Sequence, residues 1–244
     1  MSLTISLKTL RTTIASTLFV ALVGVSAQTY ATQQLSPIEA IEYAGQALDL
    51  NSLIQHTQQA QGDYEFAFAQ YQLAVAASIH KQESTLKTAL KQAADRLEML
   101  IKSEPGPDEI VEALALLASV RGMQAGYSPI QGAYYGKLSR NAIAEAKKRH
   151  PNHPRVLLID GILAYQTPAL FGGSTQTALS QLNAAVQAFS QPCQQVCWGQ
   201  AEALVWRGLA RSAAGDTAGA KADWSEALVL APEYALAKKL NQGS

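Results

Sequence analysis

Residues 201–232, AEALVWRGLARSAAGDTAGAKADWSEALVLAP, decide the fold of this chain. The stretch has the pattern of a complete helical pair, in which Gly215-Asp216 breaks the first helix and Pro232 stops the second. Gly208 and Ala220 are small where two antiparallel helices must approach each other closely. Trp224 supplies the bulk that fills the space beneath a following pair. The stretch therefore predicts two packed helices that need neighbours of the same kind.

This pair resembles a tetratricopeptide repeat (TPR), a unit of about 34 residues. Gly208, Ala220, Trp224, Ala227 and Pro232 occupy the five positions where such a repeat has Gly, Ala, an aromatic residue, Ala and Pro. The resemblance implies an all-α fold, an α-solenoid of stacked antiparallel helix pairs that forms a TPR-like superhelix. It also implies a protein that acts by binding, without identifying the partner.

Residues 1–31 have the pattern of a bacterial signal peptide. Lys8 and Arg11 give it a positive start, the run from 13 to 27 carries no charge, and small residues precede cleavage after Ala27 or Ala31. The apolar run is too short for a comfortable membrane span, and no stop-transfer signal follows it. We therefore expect a periplasmic or secreted mature protein without a membrane span.

The balance of charge argues against a nucleic-acid partner. The chain has 19 basic and 19 acidic residues, and the predicted signal segment holds two of the basic and none of the acidic ones. The mature chain would thus have 17 basic against 19 acidic residues, a net charge of −2. Nucleic-acid binders instead show a basic excess clustered on one face.

Two regions follow the predicted signal segment. Residues 32–104 are predicted to form degenerate N-terminal TPR-like helices, beginning at Ser36-Pro37 and ending with a long amphipathic helix over 83–102. Pro105-Gly106-Pro107 marks the break. Residues 105–244 are predicted to form TPR-like repeats with a capping helix near Ala235 to Leu240.

The middle of the chain contains an internal repeat with a period of 39 residues. Ser128-Pro129 corresponds to Thr167-Pro168, and Ile143 corresponds to Leu182. Each unit has about five residues more between its helices than the 34-residue template, and the residue before each proline is disfavoured in a helix. We expect four helical pairs, with helix 83–102 as an extra layer or part of an irregular pair.

The extra residues between the helices of the second unit indicate more closely which TPR-like proteins the chain resembles. Tyr165, Thr167-Pro168 and Phe171-Gly172-Gly173, before a helix with Ala178, Leu182 and Ala185, resemble a group of exported bacterial TPR-like proteins. The resemblance is close over about 154–190 and implies little chemistry. We expect Phe171 to tuck into a neighbouring pair, the two glycines to adopt special backbone angles, and Ser174 to cap the next helix. The alternative is a loop that lines a ligand pocket.

Cys193 and Cys197 are the only cysteines. In an oxidising compartment we expect them to form a disulfide. The alternatives are two free thiols or a redox or metal site, although the spacing is not CxxC and no histidine is near. His150 and His153 lie in RHPNHP without a third ligand, so we expect no metal site.

Neither a catalytic constellation nor a phosphate-binding glycine frame is evident, so we expect no enzyme activity and no cofactor. The first helix of each stacked pair lines the inner groove of such proteins. The candidate groove residues are therefore Arg155, Leu158, Ile162, Tyr165, Phe171, Glu202, Val205 and Leu209. Core packing between repeats is the alternative role for each of them.

We expect a periplasmic or exported binding or scaffold protein that holds a protein or peptide partner in a concave helical groove. The alternative is a small-molecule-binding accessory protein of an envelope transport system, and an enzyme with a dispersed site is a third hypothesis. An open groove favours a polypeptide, whereas a sealed apolar cavity of roughly several hundred Å³ favours a small molecule. The sequence does not indicate an oligomeric state.

Overall fold

The computed structural model describes residues 35–193 and 196–243 of the protein. The predicted signal segment, residues 1–31, lies outside the described residues. Within the described part of the chain, all regular structure is helical, and no strand occurs. The predicted all-α class is therefore confirmed.

Eleven α-helices and one short 3-10 helix make up this part of the chain. The helices are α1 (Pro37–Gln46), α2 (Leu50–Gln59), α3 (Asp63–Ile79), α4 (Glu83–Lys102), α5 (Pro107–Tyr127), α6 (Gly132–Arg149), α7 (Pro154–Gln166), α8 (Thr175–Phe189), α9 (Gln200–Ala213), α10 (Thr217–Leu230) and α11 (Ala235–Gln242). The 3-10 helix (Ala169–Phe171) lies between α7 and α8.

The helices pack in sequential pairs. The closest partners are α3 with α4, α5 with α6, α7 with α8, and α9 with α10. The odd-numbered helices also contact one another in series: α3 contacts α1 and α5, and α7 contacts α5 and α9. Helix α4, predicted as an extra layer or part of an irregular pair, packs against both α3 and α5. Helix α11 packs against α10, where the sequence predicts a capping helix.

Several helix boundaries follow from capping chemistry that the sequence displays. At the start of α1, the Ser36 hydroxyl accepts the Glu39 N–H at 3.3 Å, and the Glu39 carboxylate accepts the Ser36 N–H at 2.8 Å. Pro37 occupies the first turn, where its missing N–H costs nothing. The predicted start of α1 and the predicted helix over 83–102 are both confirmed.

Glycines let two of the pairs approach closely. A Cβ atom added to Gly208 of α9 would lie 2.3 Å from the indole nitrogen of Trp224 in α10. That nitrogen donates a hydrogen bond to the Val205 carbonyl at 3.3 Å. In the preceding pair, a Cβ atom on Gly161 would lie 2.6 Å from Leu182. The role predicted for Gly208 is therefore confirmed.

The loop between α7 and α8 departs from prediction at two residues, Phe171 and Gly173. Phe171 is 64% exposed, so the expectation that it tucks into a neighbouring pair is wrong. The backbone of the turn is satisfied within the turn, because the Phe171 N–H donates to the Pro168 carbonyl at 2.8 Å. The Phe171 side chain therefore remains at the surface. Gly172 has φ +95°, and Ser174 caps α8 by accepting the Thr177 N–H at 3.2 Å, both as predicted. Gly173 has no positive φ, so the expectation of a special backbone angle there is wrong; it is close packing that excludes a side chain, because a Cβ atom would lie 1.6 Å from the Thr167 carbonyl oxygen.

The core is rich in alanine and leucine and is continuous from α1 to α9. A smaller cluster around Leu204, Ala227 and Ala237 joins α9, α10 and α11. Among the described residues, no helix combines the length and the apolar character needed to cross a bilayer.

Cys193 and Cys197 form a disulfide in the connection between α8 and α9, with Cα atoms 5.7 Å apart. We expect the unreduced protein to show no reactive thiol with a maleimide reagent, and two after reduction under denaturing conditions. Closing a loop of about five residues contributes about 2 kcal/mol in the chain-entropy model, so Cys193→Ser with Cys197→Ser should lower the free energy of unfolding by that amount. Two reactive thiols before reduction would contradict the bond.

Candidate functional site

A cavity of about 1120 Å³ lies beside the connection between α8 and α9. It is bounded by α1, by the starts of α5, α7 and α9, by the ends of α8 and α10, and by the disulfide-bonded connection. Leu35, Tyr43, Gln191 and Pro192 are exposed at its rim, so the cavity opens to solvent. Helices distant in sequence thus meet around one concave space.

A buried ion pair forms part of the cavity floor. The Nε atom of Arg155 donates to the Glu112 carboxylate at 2.5 Å, and a second guanidinium nitrogen donates to its other oxygen. Arg155 also donates to the Trp198 carbonyl at 3.2 Å. Both charged side chains are almost fully buried. Such bidentate pairing is what allows two charges to remain in the interior.

Further polar and aromatic groups hold the Glu112 carboxylate in place, among them Tyr64, which lies behind the lining of the cavity. The Tyr64 hydroxyl donates to Glu112 at 3.3 Å and accepts the Trp198 indole N–H at 3.0 Å. The Nε2 atom of His153 lies 3.2 Å from the same carboxylate. Burial alone would raise the pKa of Glu112, but hydrogen bonds from His153 and Arg155 and the Arg155 charge outweigh it, so that this pKa lies below its ordinary value.

Glu42 of α1 forms one wall of the cavity. Its Oε1 atom accepts the Gly199 N–H at 2.8 Å and the Gln46 side-chain N–H at 3.1 Å. The first of these bonds joins residues that are 157 positions apart. Burial raises the pKa of Glu42 to about 7, because it disfavours the charged form.

A second acidic residue, Glu202, lies near this wall without lining the cavity. Its carboxylate accepts the Trp206 indole N–H at 3.3 Å. Burial raises the pKa of Glu202 to about 7, and its charge contributes to the raised pKa of Glu42. Burial also raises the pKa of Tyr71 and of Tyr234, and the charge of Glu202 adds to both effects. Two carboxyl groups with raised pKa values therefore lie close together.

These two carboxyl groups should make the protein less stable as the pH rises from about 5 to about 7. The folded protein holds their protons more tightly than the unfolded chain, whose glutamates titrate near 4.5, so folding is favoured while they are protonated. Each carboxyl group should cost about 2 kcal/mol over this interval. Urea unfolding at both pH values measures the change.

The matched variant is Glu202→Gln, which keeps an acceptor for Trp206 but does not titrate. We expect it to lose at least half of the pH dependence. Glu112 has a lowered pKa and acts in the opposite direction, but its contribution is lost only as the pH falls below about 4.5. Wild-type stability that rose between pH 5 and pH 7 would contradict the assignment.

The predicted groove residues are divided between cavity, core and surface. Arg155 lines the cavity. Leu158, Ile162 and Val205 are buried in the core and offer no binding surface, because neighbouring helices cover them. Tyr165 is half-buried and packs against Trp206 with ring centres 5.9 Å apart, and the Glu202 carboxylate accepts a hydrogen bond from the same indole. Leu209 is half-buried, and Phe171 is exposed.

Sequence reasoning missed most of the residues that form the site. Glu112 carried a usable signal, because it is the one charged residue in the apolar run IVEALALLASV of α5. A carboxylate in such a run implies a buried partner. Glu42, Tyr64 and Trp198 carried no comparable signal, since their partners lie far away in the chain.

The side chains that line the cavity determine which ligands it could hold. Within 35–193 and 196–243, no group of three or more His, Cys, Asp or Glu side chains is placed to hold a metal ion. His150 and His153 stack edge to face with ring centres 5.3 Å apart. What the cavity offers a ligand is carboxylate oxygens, aromatic faces and aliphatic surface.

No protein-family model matches this chain, and no curated protein matches it in sequence.

Proposed function

We propose that this chain is an exported binding protein, built as an α-solenoid of TPR-like helix pairs, that holds a segment of a partner polypeptide in its cavity. The observation that carries the proposal is the cavity of about 1120 Å³ around the buried Glu112–Arg155 pair. The signal-like segment 1–31 supports a periplasmic or secreted location.

The size and lining of the cavity favour a polypeptide over a small apolar ligand. Small-molecule pockets are typically about 300–1000 Å³ and largely enclosed and apolar. This cavity is larger, has exposed residues around its rim, and presents several carboxylates. A peptide segment can enter an open cavity with its backbone running past the rim while one side chain reaches the floor.

Native mass spectrometry of the mature protein, recovered gently from the periplasm of an expressing bacterium, tests the proposal. We expect a polypeptide adduct that denaturation releases. A stoichiometric small-molecule adduct would instead support the accessory protein of a transport system. A bare protein would contradict a tightly held partner.

Two matched variants locate the adduct. Gln200 is exposed at the start of α9 and lines the cavity, whereas Gln176 is exposed at the start of α8 outside it. Gln200→Trp should fill the mouth of the cavity and abolish the adduct, and Gln176→Trp should leave it unchanged. Equal adducts on both variants would place the partner elsewhere on the molecule.

A further inference from the structure

The acidic groups that line the cavity outnumber the basic ones. Its described lining includes four carboxyl groups, those of Glu39, Glu42, Asp108 and Glu112. Arg155 is the single lysine or arginine among the described lining residues, and its guanidinium is already bonded to Glu112 and to the Trp198 carbonyl. Three carboxyl groups are therefore left without a permanent cationic partner in the cavity.

The Glu42 carboxyl group, one of these three, is held by hydrogen bonds to one of its oxygens, and its other oxygen is available. Both hydrogen bonds to Glu42 end on its Oε1 atom, and no described hydrogen bond ends on Oε2. Glu42 lines the cavity and is half-buried in its wall, where loss of water raises its pKa. A buried carboxylate gains most from a cation that replaces the water it has lost.

The lining of the cavity, to which Glu42 belongs, matches an aliphatic chain that ends in an ammonium group. Leu230, Ala231 and Ala188 line the cavity and offer apolar contact to a stem of methylene groups. Tyr43, on the same helix and at the rim, offers an aromatic face to a cation. A guanidinium prefers two carboxylate oxygens side by side, but Glu42 has one available, which favours the compact ammonium.

We propose that the cavity recognises a lysine side chain of the partner polypeptide, whose ammonium group pairs with the free oxygen of Glu42. The inference rests on the proposed function, since it names the side chain by which the polypeptide is held. Glu39, which caps α1, and Asp108 strengthen the attraction of the cavity for a cation without contacting the buried end of the ligand.

The test uses the mature protein with its disulfide intact and fluorescein-labelled decalysine, decaarginine and decaglutamate. We expect decalysine to bind most tightly, and Glu42→Gln to weaken its binding by roughly tenfold or more, as expected when one partner of a desolvated charge pair is removed. The control is Glu226→Gln, because Glu226 is exposed on α10 outside the cavity and the substitution changes the net charge equally. Equal losses in both variants would overturn the proposal.

The pH dependence of binding gives a second measurement on the unaltered protein. Decalysine should bind more weakly at about pH 5.5 than at about pH 8, because protonation removes the negative charge of Glu42. The charged groups that act on Glu42 are Glu39 of the same helix, Glu202 of α9 and Arg155 of α7. His150 and His153 line the same cavity.

Glu42→Gln keeps all of these neighbours, so the difference in pH dependence between the variant and the wild type belongs to Glu42. Identical pH profiles would overturn the lysine assignment. If native mass spectrometry shows a polypeptide adduct but decalysine does not bind the protein once that adduct has been released, the lysine assignment is overturned and the proposed function stands. A small-molecule adduct would overturn both.

Discussion

Replacing Arg155 with methionine should lower the free energy of unfolding by about 3–5 kcal/mol. The substitution retains most of the side-chain volume but removes the guanidinium that holds the Glu112 carboxylate on both oxygens. Tyr64 and His153 still contact that carboxylate, yet its permanent countercharge is lost. A buried charge without a partner is among the most destabilising changes a protein can suffer. Urea unfolding near pH 7 measures the loss.

Two controls separate the buried pair from a general loss of charge. Arg149 and Glu145 form an exposed pair within α6, with 2.9 Å between nitrogen and oxygen, so Arg149→Met should cost less than about 1 kcal/mol. Combining Arg155→Met with Glu112→Leu removes both charges together and should recover much of the loss. A single Arg155→Met variant as stable as Arg149→Met would contradict the buried pair.

Trp224→Ala should also lower the free energy of unfolding by about 3–5 kcal/mol. The indole is buried between α9 and α10, lies against Gly208 and donates to the Val205 carbonyl. Its removal leaves a cavity within the pair whose sequence predicts the fold. The melting temperature and urea midpoint report the loss, and an unchanged melting temperature would contradict the packing of this pair.

Two glycine substitutions, one at the contact with Trp224 and one away from it, test the packing of Gly208 against that indole. Gly208→Ala places a methyl group on the indole and should destabilise the protein, because the indole must shift. Gly126 lies near the end of α5, where an added Cβ would meet nothing within 4 Å. Gly126→Ala should therefore be neutral or slightly stabilising. Similar effects from both substitutions would mean that helix propensity, and not the contact with Trp224, decides the outcome.

The fold class could be predicted because its determinants are local. The capping box at Ser36, the helix breaks at Gly62 and Gly215, and the small residue at Gly208 act over a few residues or one helical pair. The burial predicted for Phe171 was wrong, and the cause is again local. A turn that satisfies its own backbone can leave an aromatic side chain in solvent, and the pattern of residues does not distinguish this from burial.

The cavity could be predicted only in part, because its residues meet across long stretches of chain. Arg155 was expected in a groove, but its partner Glu112 lies 43 positions earlier. The wall depends on Glu42 and Gly199, which no repeat pattern relates to each other. The helices follow from local patterns, whereas the site depends on contacts between helices that are far apart in the chain.

The bond between Glu42 and Gly199 also sets when the site can form. Local helix pairs close quickly, but a contact across 157 positions must wait until nearly the whole chain is in place. The cavity wall is then completed late in folding, and it can open while the helical pairs persist. The Gly199 amide reports that opening: we expect its hydrogen to exchange with solvent when α1 separates from the start of α9.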